Sequence, residues 1–282
     1  MPDEHPALPD FDSPPVVEVA ISLQFEPLEA LHSSHLGLLW NAFRSEGFSN
    51  TEDHAELAPV VEDFDPMPTP RVGVRLQAFD DAPPLPRIWF LNSARNELIQ
   101  IQRDRFIVNW RQGADAQPYP RYVNIKRRLQ SEFATFIACL ASENLGTIRL
   151  TQCELTYVNH ITVAAAGILH GDISSVVTTW TNTYSEPFLA KPEDVAFHAR
   201  YKMCDEQGKP VGRLHVSFQP AYRATTAEPI FVMNMTARGE PRPADFEGAL
   251  ELFDREHEWI VRGFASITTE QMHKEWRRKH GS

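Results

Sequence analysis

Hydrophobic and polar side chains alternate near the start of the chain with the two-residue period of a strand that has one buried face. In VVEVAISLQF, residues 16–25, every odd-numbered position is apolar. The other face carries Glu18, Ser22 and Gln24. We therefore predict a half-buried strand over these ten residues.

The same alternation runs along both limbs of LIQIQRDRFIVNWRQG, residues 98–113, which predicts a hairpin that turns near Asp104. The polar positions of this hairpin are regular, which indicates a polar sheet face that meets a partner. They are Gln100, Gln102, Asn109 and Arg111.

Three stretches change to the helical period, with an apolar side chain at every third or fourth position. We predict helices over residues 28–46, 120–141 and 244–264, and Thr268 with Gln271 resembles a capping box for a last helix. Further strands are predicted at 71–79, 87–92, 147–163, 194–204, 212–223 and 229–239.

The order of these elements divides the chain into a flexible, Pro-rich acidic lead, residues 1–15, and two halves, 16–146 and 147–282. Each half follows the order strand, helix, several strands, helix, which indicates an internal structural duplication within one compact unit. We predict an α+β fold with mostly antiparallel pairing and helices on one face of the sheet. The element order is similar to that of duplicated saddle or helix-grip folds.

If the strands share one sheet, the face opposite their apolar side chains is polar and mildly basic. Its amide and guanidinium donors suit carboxylate or phosphate groups. An ordinary solvated sheet face is the alternative, and a second sheet or another chain is a further possible cover. The predicted binding residues are Gln100, Gln102, Asn109, Arg111, Arg200 and Arg213.

Four side chains on this predicted face are candidates for acid–base catalysis, because histidine titrates near neutral pH. Glu154 and His160 lie too far apart along one strand to act on each other. His257 begins HEWIV like a zinc-binding helix, but Val261 stands where the second histidine would be, so we expect a packed core histidine. The candidates are Glu154, His160, His198 and His215.

The formal charge of −11 is distributed unevenly. Residues 1–86 carry 16 acidic and 3 basic side chains, a net of −13, and the remainder is nearly neutral. Acidic loops are predicted over residues 49–70 and 80–86. They serve solubility, shield a basic surface or engage a basic partner.

Composition narrows the class of protein further. No apolar run reaches the roughly 20 residues that a membrane helix needs, and the acidic, Pro-rich start does not resemble a signal peptide. The three cysteines are scattered, which fits a reducing cytoplasm and indicates neither a metal site nor a disulfide set. Phosphate-loop, dinucleotide and nucleophile-elbow motifs are absent, so we expect no cofactor.

Several segments together resemble a family of bacterial proteins that has sporadic distribution and about this length. They are PPVVEVAISLQF, RIWFLNSARNELIQIQRDRFIVNWR with the later YPRY, CELTYVNHI and FASIT. The resemblance covers nearly the whole chain, and IQIQRDRFIVNWR is its most specific part. That family has no established activity, so the resemblance implies no catalytic residue. Patchy distribution implies a mobile-element, toxin-control or phage-defence context.

Three functions remain open at this point. The first is a non-enzymatic binding module whose polar sheet face recognises a protein, nucleotide or nucleic-acid partner, with a homo-oligomer also possible. The overall negative charge argues against nucleic acid within this set. The second is an enzyme acting on a small polar or anionic substrate. The third is inhibition by mimicry through the two acidic loops.

Overall fold

A single nine-stranded antiparallel sheet with helices packed against it forms the body of the protein, so the α+β prediction is confirmed. The computed structural model describes residues 7–64, 85–113, 117–162 and 170–279. The sheet order is β2-β3-β4-β5-β1-β6-β9-β8-β7, and β1 lies at its centre, paired with β5 and β6.

The strands are β1 Val16–Phe25, β2 Phe48–His54, β3 Arg87–Asn92, β4 Glu97–Gln102, β5 Arg105–Arg111, β6 Leu150–Thr162, β7 Phe197–Cys204, β8 Pro210–Tyr222 and β9 Pro229–Gly239. The helices are α1 Ser33–Ser45, α2 Tyr122–Ser142, α3 Phe246–Ile267 and α4 Glu270–Glu275, with a short 3-10 helix at His170–Ser175.

The helices cover the apolar face of the sheet, and the core lies between the two layers. Phe106 of β5 stacks on Phe136 of α2 with ring centroids 5.0 Å apart. Under α1, Phe43 meets Phe90 of β3 at 5.8 Å. The helix α3 packs on β6, β8 and β9. Burying large aromatic side chains in this way supplies the main favourable term for folding.

Two predicted boundaries differ from the structure. The first helix begins at Ser33 rather than residue 28, because the backbone N–H groups of Phe25 and Leu28 bond to carbonyls of the β4–β5 turn and the Leu31 N–H then closes a turn onto the Leu28 carbonyl. Residues 48–54, assigned mostly to a loop, form β2 at the edge of the sheet. Its sequence FSNTEDH is polar on both faces, so no alternation of apolar and polar residues predicted this strand.

The last helix is capped one residue later than predicted. Thr269, and not Thr268, is its N-cap, and its hydroxyl accepts a hydrogen bond from the Met272 N–H. The Thr268 hydroxyl instead donates to the Phe264 carbonyl of α3 at 2.7 Å. The predicted strand 71–79, with Arg75 and Gln77, lies outside the described residues.

Residues 7–15 of the lead lie against the C-terminal segment. Phe11 packs edge-on against Phe264 and Trp276, with centroids 5.7 Å and 6.1 Å away. The Lys279 N–H bonds to the Asp10 carbonyl at 2.9 Å. The lead therefore forms a wall over the beginning of α2 and the middle of α3.

Loss of the N-cap of α3 should destabilise the fold measurably. The Asp245 carboxylate accepts the Gly248 N–H at 2.9 Å, so we expect Asp245→Ala to lower the free energy of unfolding by about 1 kcal/mol. Urea denaturation at pH 7 measures the change. Glu251→Gln, an exposed position on the same helix, is the control, and equal stability of the two variants would contradict the capping role.

Candidate functional site: the polar face of the sheet

Side chains from both halves of the chain share the sheet face opposite the helices, because directly opposed residues of neighbouring strands point to the same side. One row crosses all nine strands in register. It consists of Glu52, Trp89, Gln100, Ile107, Ser22, Glu154, Arg238, Arg213 and Lys202. We call this surface the polar face.

On the β4–β5 side, the polar face is a buried hydrogen-bond chain. Gln100 donates to Asn109 at 2.8 Å, and Asn109 donates to Glu18 at 2.7 Å. The Gln100 oxygen accepts from the Arg87 guanidinium at 2.9 Å. Gln100, Asn109 and Gln102 are all buried, so these three predicted binding residues make their contacts within the chain.

Residues 55–64, which we call the acidic segment, cross the polar face without regular secondary structure and cover part of it. The Gln24 side-chain oxygen accepts from the Val60 N–H at 3.0 Å, and the Gln24 side-chain nitrogen donates to the Val60 carbonyl at 3.1 Å. Gln102 holds Leu57 in the same manner at 3.0 Å and 2.9 Å. Two glutamine side chains therefore bind the segment as a neighbouring strand would.

Arg105 adds a third contact to the backbone of the acidic segment. Its guanidinium donates to the Ala58 carbonyl at 3.1 Å and to the Gln24 side-chain oxygen at 2.5 Å. Because these bonds involve backbone groups of the segment, they do not depend on the identity of its side chains.

Near its end, the acidic segment places a carboxylate among two guanidinium groups and an imidazole. The Glu62 side chain, which is only 4% exposed, bonds to His215 at 2.5 Å and to Arg238 at 3.1 Å, and also pairs with Arg213. Arg213 donates to the Asp63 carbonyl at 3.0 Å as well. We call Arg213, His215 and Arg238 the cation cluster.

The cation cluster fixes the ionised form of Glu62. Burial alone would raise the pKa of this carboxyl, but the hydrogen bond from His215 and the charges of Arg213 and Arg238 more than offset it. The pKa of Glu62 therefore lies below its ordinary value. The cluster selects a charged carboxylate, because a neutral amide would leave it short of one negative charge.

The β7 side of the polar face is open. His198, Arg200 and Lys202 are exposed on the outer strand, and Arg200 lies directly opposite His215 of the cation cluster. Lys202 lies opposite Arg213. Two further cations therefore border the bound carboxylate on its solvent side.

The acid–base candidates are not brought together into a catalytic pair. The ring centroids of His198 and His215 lie 6.0 Å apart, and His215 bonds to Glu62 rather than to His198. Glu154 pairs with Arg238. His160 lies further along β6, and burial followed by the charge of Arg223 lowers its pKa. Among the described residues, no group of histidine, cysteine and acidic side chains is arranged to hold a metal ion.

Arg111 occupies the opposite end of the polar face from the cation cluster. Its guanidinium donates to the Arg95 carbonyl at 2.8 Å and lies over the ring of Trp89. Arg111 and Arg213 thus share a face but belong to different contacts.

Sequence reasoning missed three side chains of this site, Arg105, Arg238 and Glu62. Along β9, Met233, Met235 and Ala237 alternate with polar residues, and this alternation predicts that Arg238 lies on the polar face. Glu62 had no such signal, because the acidic segment has no periodicity that specifies which of its residues meets the sheet.

No family model matches the chain, and no curated protein matches it. The resemblance of its motifs to sporadically distributed bacterial proteins therefore stays a prediction. In the described part of the chain, no helix is both long and apolar enough to span a membrane.

Proposed function

We propose that the protein is a non-enzymatic binding protein whose polar face holds an extended acidic segment of a partner protein. The carrying observation is the acidic segment of the chain itself. Its backbone is held by Gln24, Gln102 and Arg105, and its carboxylate by the cation cluster. A partner segment would take the same path and displace residues 55–64.

The two kinds of contact supply different parts of recognition. Glutamine amides that bond to backbone N–H and C=O groups give affinity for any extended peptide, as strand addition does. The cation cluster adds a requirement for an ionised carboxylate at one position, since charge-assisted hydrogen bonds are stronger than neutral ones. Arg200 and Lys202 extend the basic surface for further acidic side chains.

A protein partner fits this surface better than a nucleic acid does. The chain has a net charge of −11, and phosphate backbones are bound chiefly by an excess of lysine and arginine. Trp110 of the β4–β5 hairpin is buried on the helix side, and Trp89 on the polar face is already stacked on His54 at 3.8 Å, so neither offers a free stacking surface.

The wider context of the protein belongs to the same proposal. We infer a cytoplasmic accessory role, in keeping with the predicted defence or toxin-control setting. The sheet order supports the inferred duplication, because β1 pairs with the last strand of the first half and β6 with the last strand of the second.

A peptide titration tests the proposed function. In the full chain, residues 55–64 are replaced by five Gly-Ser repeats, and a labelled peptide AELAPVVEDF is added in trans with fluorescence polarisation as the readout. We expect saturable binding. We also expect binding to the unaltered chain to be about 10-fold weaker or more, because its own tethered segment competes at high effective concentration.

Two matched controls give the test its specificity. A peptide with Gln at the position of Glu62 should bind about 10-fold more weakly, since it loses a charge-assisted contact. Arg213→Gln with Arg238→Gln should abolish binding, whereas Arg44→Gln with Arg127→Gln, exposed cations on the helix side, should not change it. Equal binding by both double variants would overturn the proposal.

A further inference from the structure

A second candidate site lies on the other side of the sheet, in a cavity of about 230 Å³. It is open to solvent on one side and is lined by the lead segment, the beginning of α2, the C-terminal half of α3 and the centre of the sheet. The cavity shares no lining residue with the polar face, so it is independent of the proposed function.

Most of the cavity wall is apolar or aromatic. Leu8 and Phe11 close it from the lead, while Ile260, Val261 and Phe264 line it from α3. Ligand pockets have this composition, with a small number of polar groups that orient the ligand. An apolar cavity of about 150 Å³ is sufficient for benzene, so this one has room for a ring with substituents.

Three polar side chains form a hydrogen-bond chain at the cavity wall. The hydroxyl groups of Tyr119 and Tyr157 lie 2.7 Å apart, and the Tyr157 hydroxyl lies 3.1 Å from Nδ1 of His257. The His257 ring is stacked on Tyr122 at 4.0 Å, which fixes its orientation. The chain therefore ends on an imidazole that is held in place.

All three groups are uncharged at neutral pH. Burial raises the pKa of both tyrosines. It lowers the pKa of His257 to about 4, although Asp254 and Glu258 act in the opposite direction. A charged ligand group would thus find no opposite charge at the inner end of the cavity.

The hydrogen-bond chain leaves one ring nitrogen unsatisfied. If Tyr157 donates to Nδ1, Nε2 of His257 carries the proton and is a free donor; if the chain runs in reverse, Nε2 is a free acceptor. Within the described residues, Nε2 has no hydrogen-bond partner. In either direction, Nε2 is available to a polar group of a bound molecule.

Backbone strain occurs at the rim of the same cavity. Arg121, the residue before α2, has φ of 74°, a conformation that non-glycine residues rarely adopt and that is often found at functional sites. Its guanidinium pairs with Asp10 of the lead at 3.0 Å. The rim charges therefore neutralise each other.

We propose that this cavity binds a small, uncharged aromatic molecule that carries one hydroxyl or ring N–H group, with that group bonded to Nε2 of His257. The apolar wall accommodates the ring, the volume is sufficient for one or two fused rings, and the neutral hydrogen-bond chain accepts a neutral polar group.

Binding of p-cresol and indole to the full chain, with toluene as the probe that lacks the polar group, tests this inference. Calorimetric titration should give saturable binding of p-cresol or indole, about 10-fold tighter than that of toluene. The ¹⁵N resonances of the His257 ring should shift on binding. Absence of saturable binding by both polar probes, or equal binding of toluene, would overturn the inference.

Variants separate the cavity from other binding surfaces. Val261→Trp should fill the cavity and abolish binding, while Leu38→Trp on the exposed side of α1 should leave it unchanged. His257→Gln keeps a polar side chain but removes the ring, so it should reduce the preference for p-cresol over toluene to near unity. Unchanged preference in His257→Gln would place the ligand elsewhere and contradict the assignment.

Discussion

Glu62→Lys should release the acidic segment from the polar face and lower the free energy of unfolding by about 2 kcal/mol. Removing one partner from a fully buried ion pair costs about 3–5 kcal/mol. The cost is smaller here because the cations are 14–22% exposed and because residues 55–64 can leave the sheet without unfolding the rest. Urea denaturation measures the global change.

Hydrogen exchange gives the local part of the same result. The amides of Leu57 and Val60 are bonded to Gln102 and Gln24, and we expect their protection to disappear in Glu62→Lys. Glu206→Lys, an exposed reversal of the same charge in the β7–β8 turn, should leave both amides protected. Retained protection in Glu62→Lys would show that the carboxylate does not hold the segment.

The direction of the pKa shift adds a pH dependence. The pKa of Glu62 in the folded chain is below its ordinary value, so its stabilising contribution is present above the ordinary glutamate range. It is lost as the pH falls through the lower folded pKa. Protection of Leu57 and Val60 should follow the same course in the unaltered chain.

Glu256→Gln is expected to make the protein more stable at pH 8 and to flatten its pH dependence. Glu256 lies on α3 with no exposed surface, and among the residues that the structure describes its carboxyl group has only a backbone contact at Leu155 that falls outside ordinary hydrogen-bond geometry. Burial, with the charge of Glu154, raises its pKa well above the ordinary value. The folded chain therefore keeps this carboxyl protonated where the unfolded chain would ionise it.

The sign of the effect follows from proton linkage. A glutamate whose folded pKa is raised costs no stability below its unfolded pKa and costs about 1.4 kcal/mol more for each pH unit above it, until the folded pKa is reached. Urea denaturation from pH 5 to pH 8 should show the unaltered chain falling relative to Glu256→Gln. Glu251→Gln is the exposed control, and parallel curves for the Glu256 variant would contradict the assignment.

Periodicity predicted the layout of the sheet well because burial on one face imposes a two-residue period. The alternation in residues 16–25 and 98–113 identified β1, β4 and β5, and the polar positions do share one face. Residues 48–54 were not predicted as a strand, because this edge strand has a polar sequence and no alternating set of buried apolar side chains.

The cover of the polar face could not be predicted in the same manner. Gln102 and Leu57 are 45 positions apart, and the Gln102 side chain contacts only the backbone of Leu57. Because every residue has the same backbone groups, the residue type at position 57 does not predict this contact. The alternation thus identified Gln100, Gln102 and Asn109 as polar and aligned, but it did not indicate that the chain itself satisfies them.

His257 illustrates a related limit at the second site. The apolar stripe of α3 predicted a packed core histidine, and the ring does stack on Tyr122. Its partner Tyr157 is 100 positions away on β6, and Tyr119 precedes α2. A hydrogen-bond chain assembled from three separate elements depends on their packing, which no local pattern encodes.

The most direct test of the central claim is nuclear magnetic resonance of the side-chain amides of Gln24 and Gln102. The side-chain amide resonances are recorded for the variant with Gly-Ser repeats at residues 55–64 while the AELAPVVEDF peptide is added. We predict that both amide pairs and the His215 ring shift together and saturate at one equivalent, because they hold the backbone and carboxylate of the segment. Saturable binding without change at these three side chains, or no binding at all, would contradict the account.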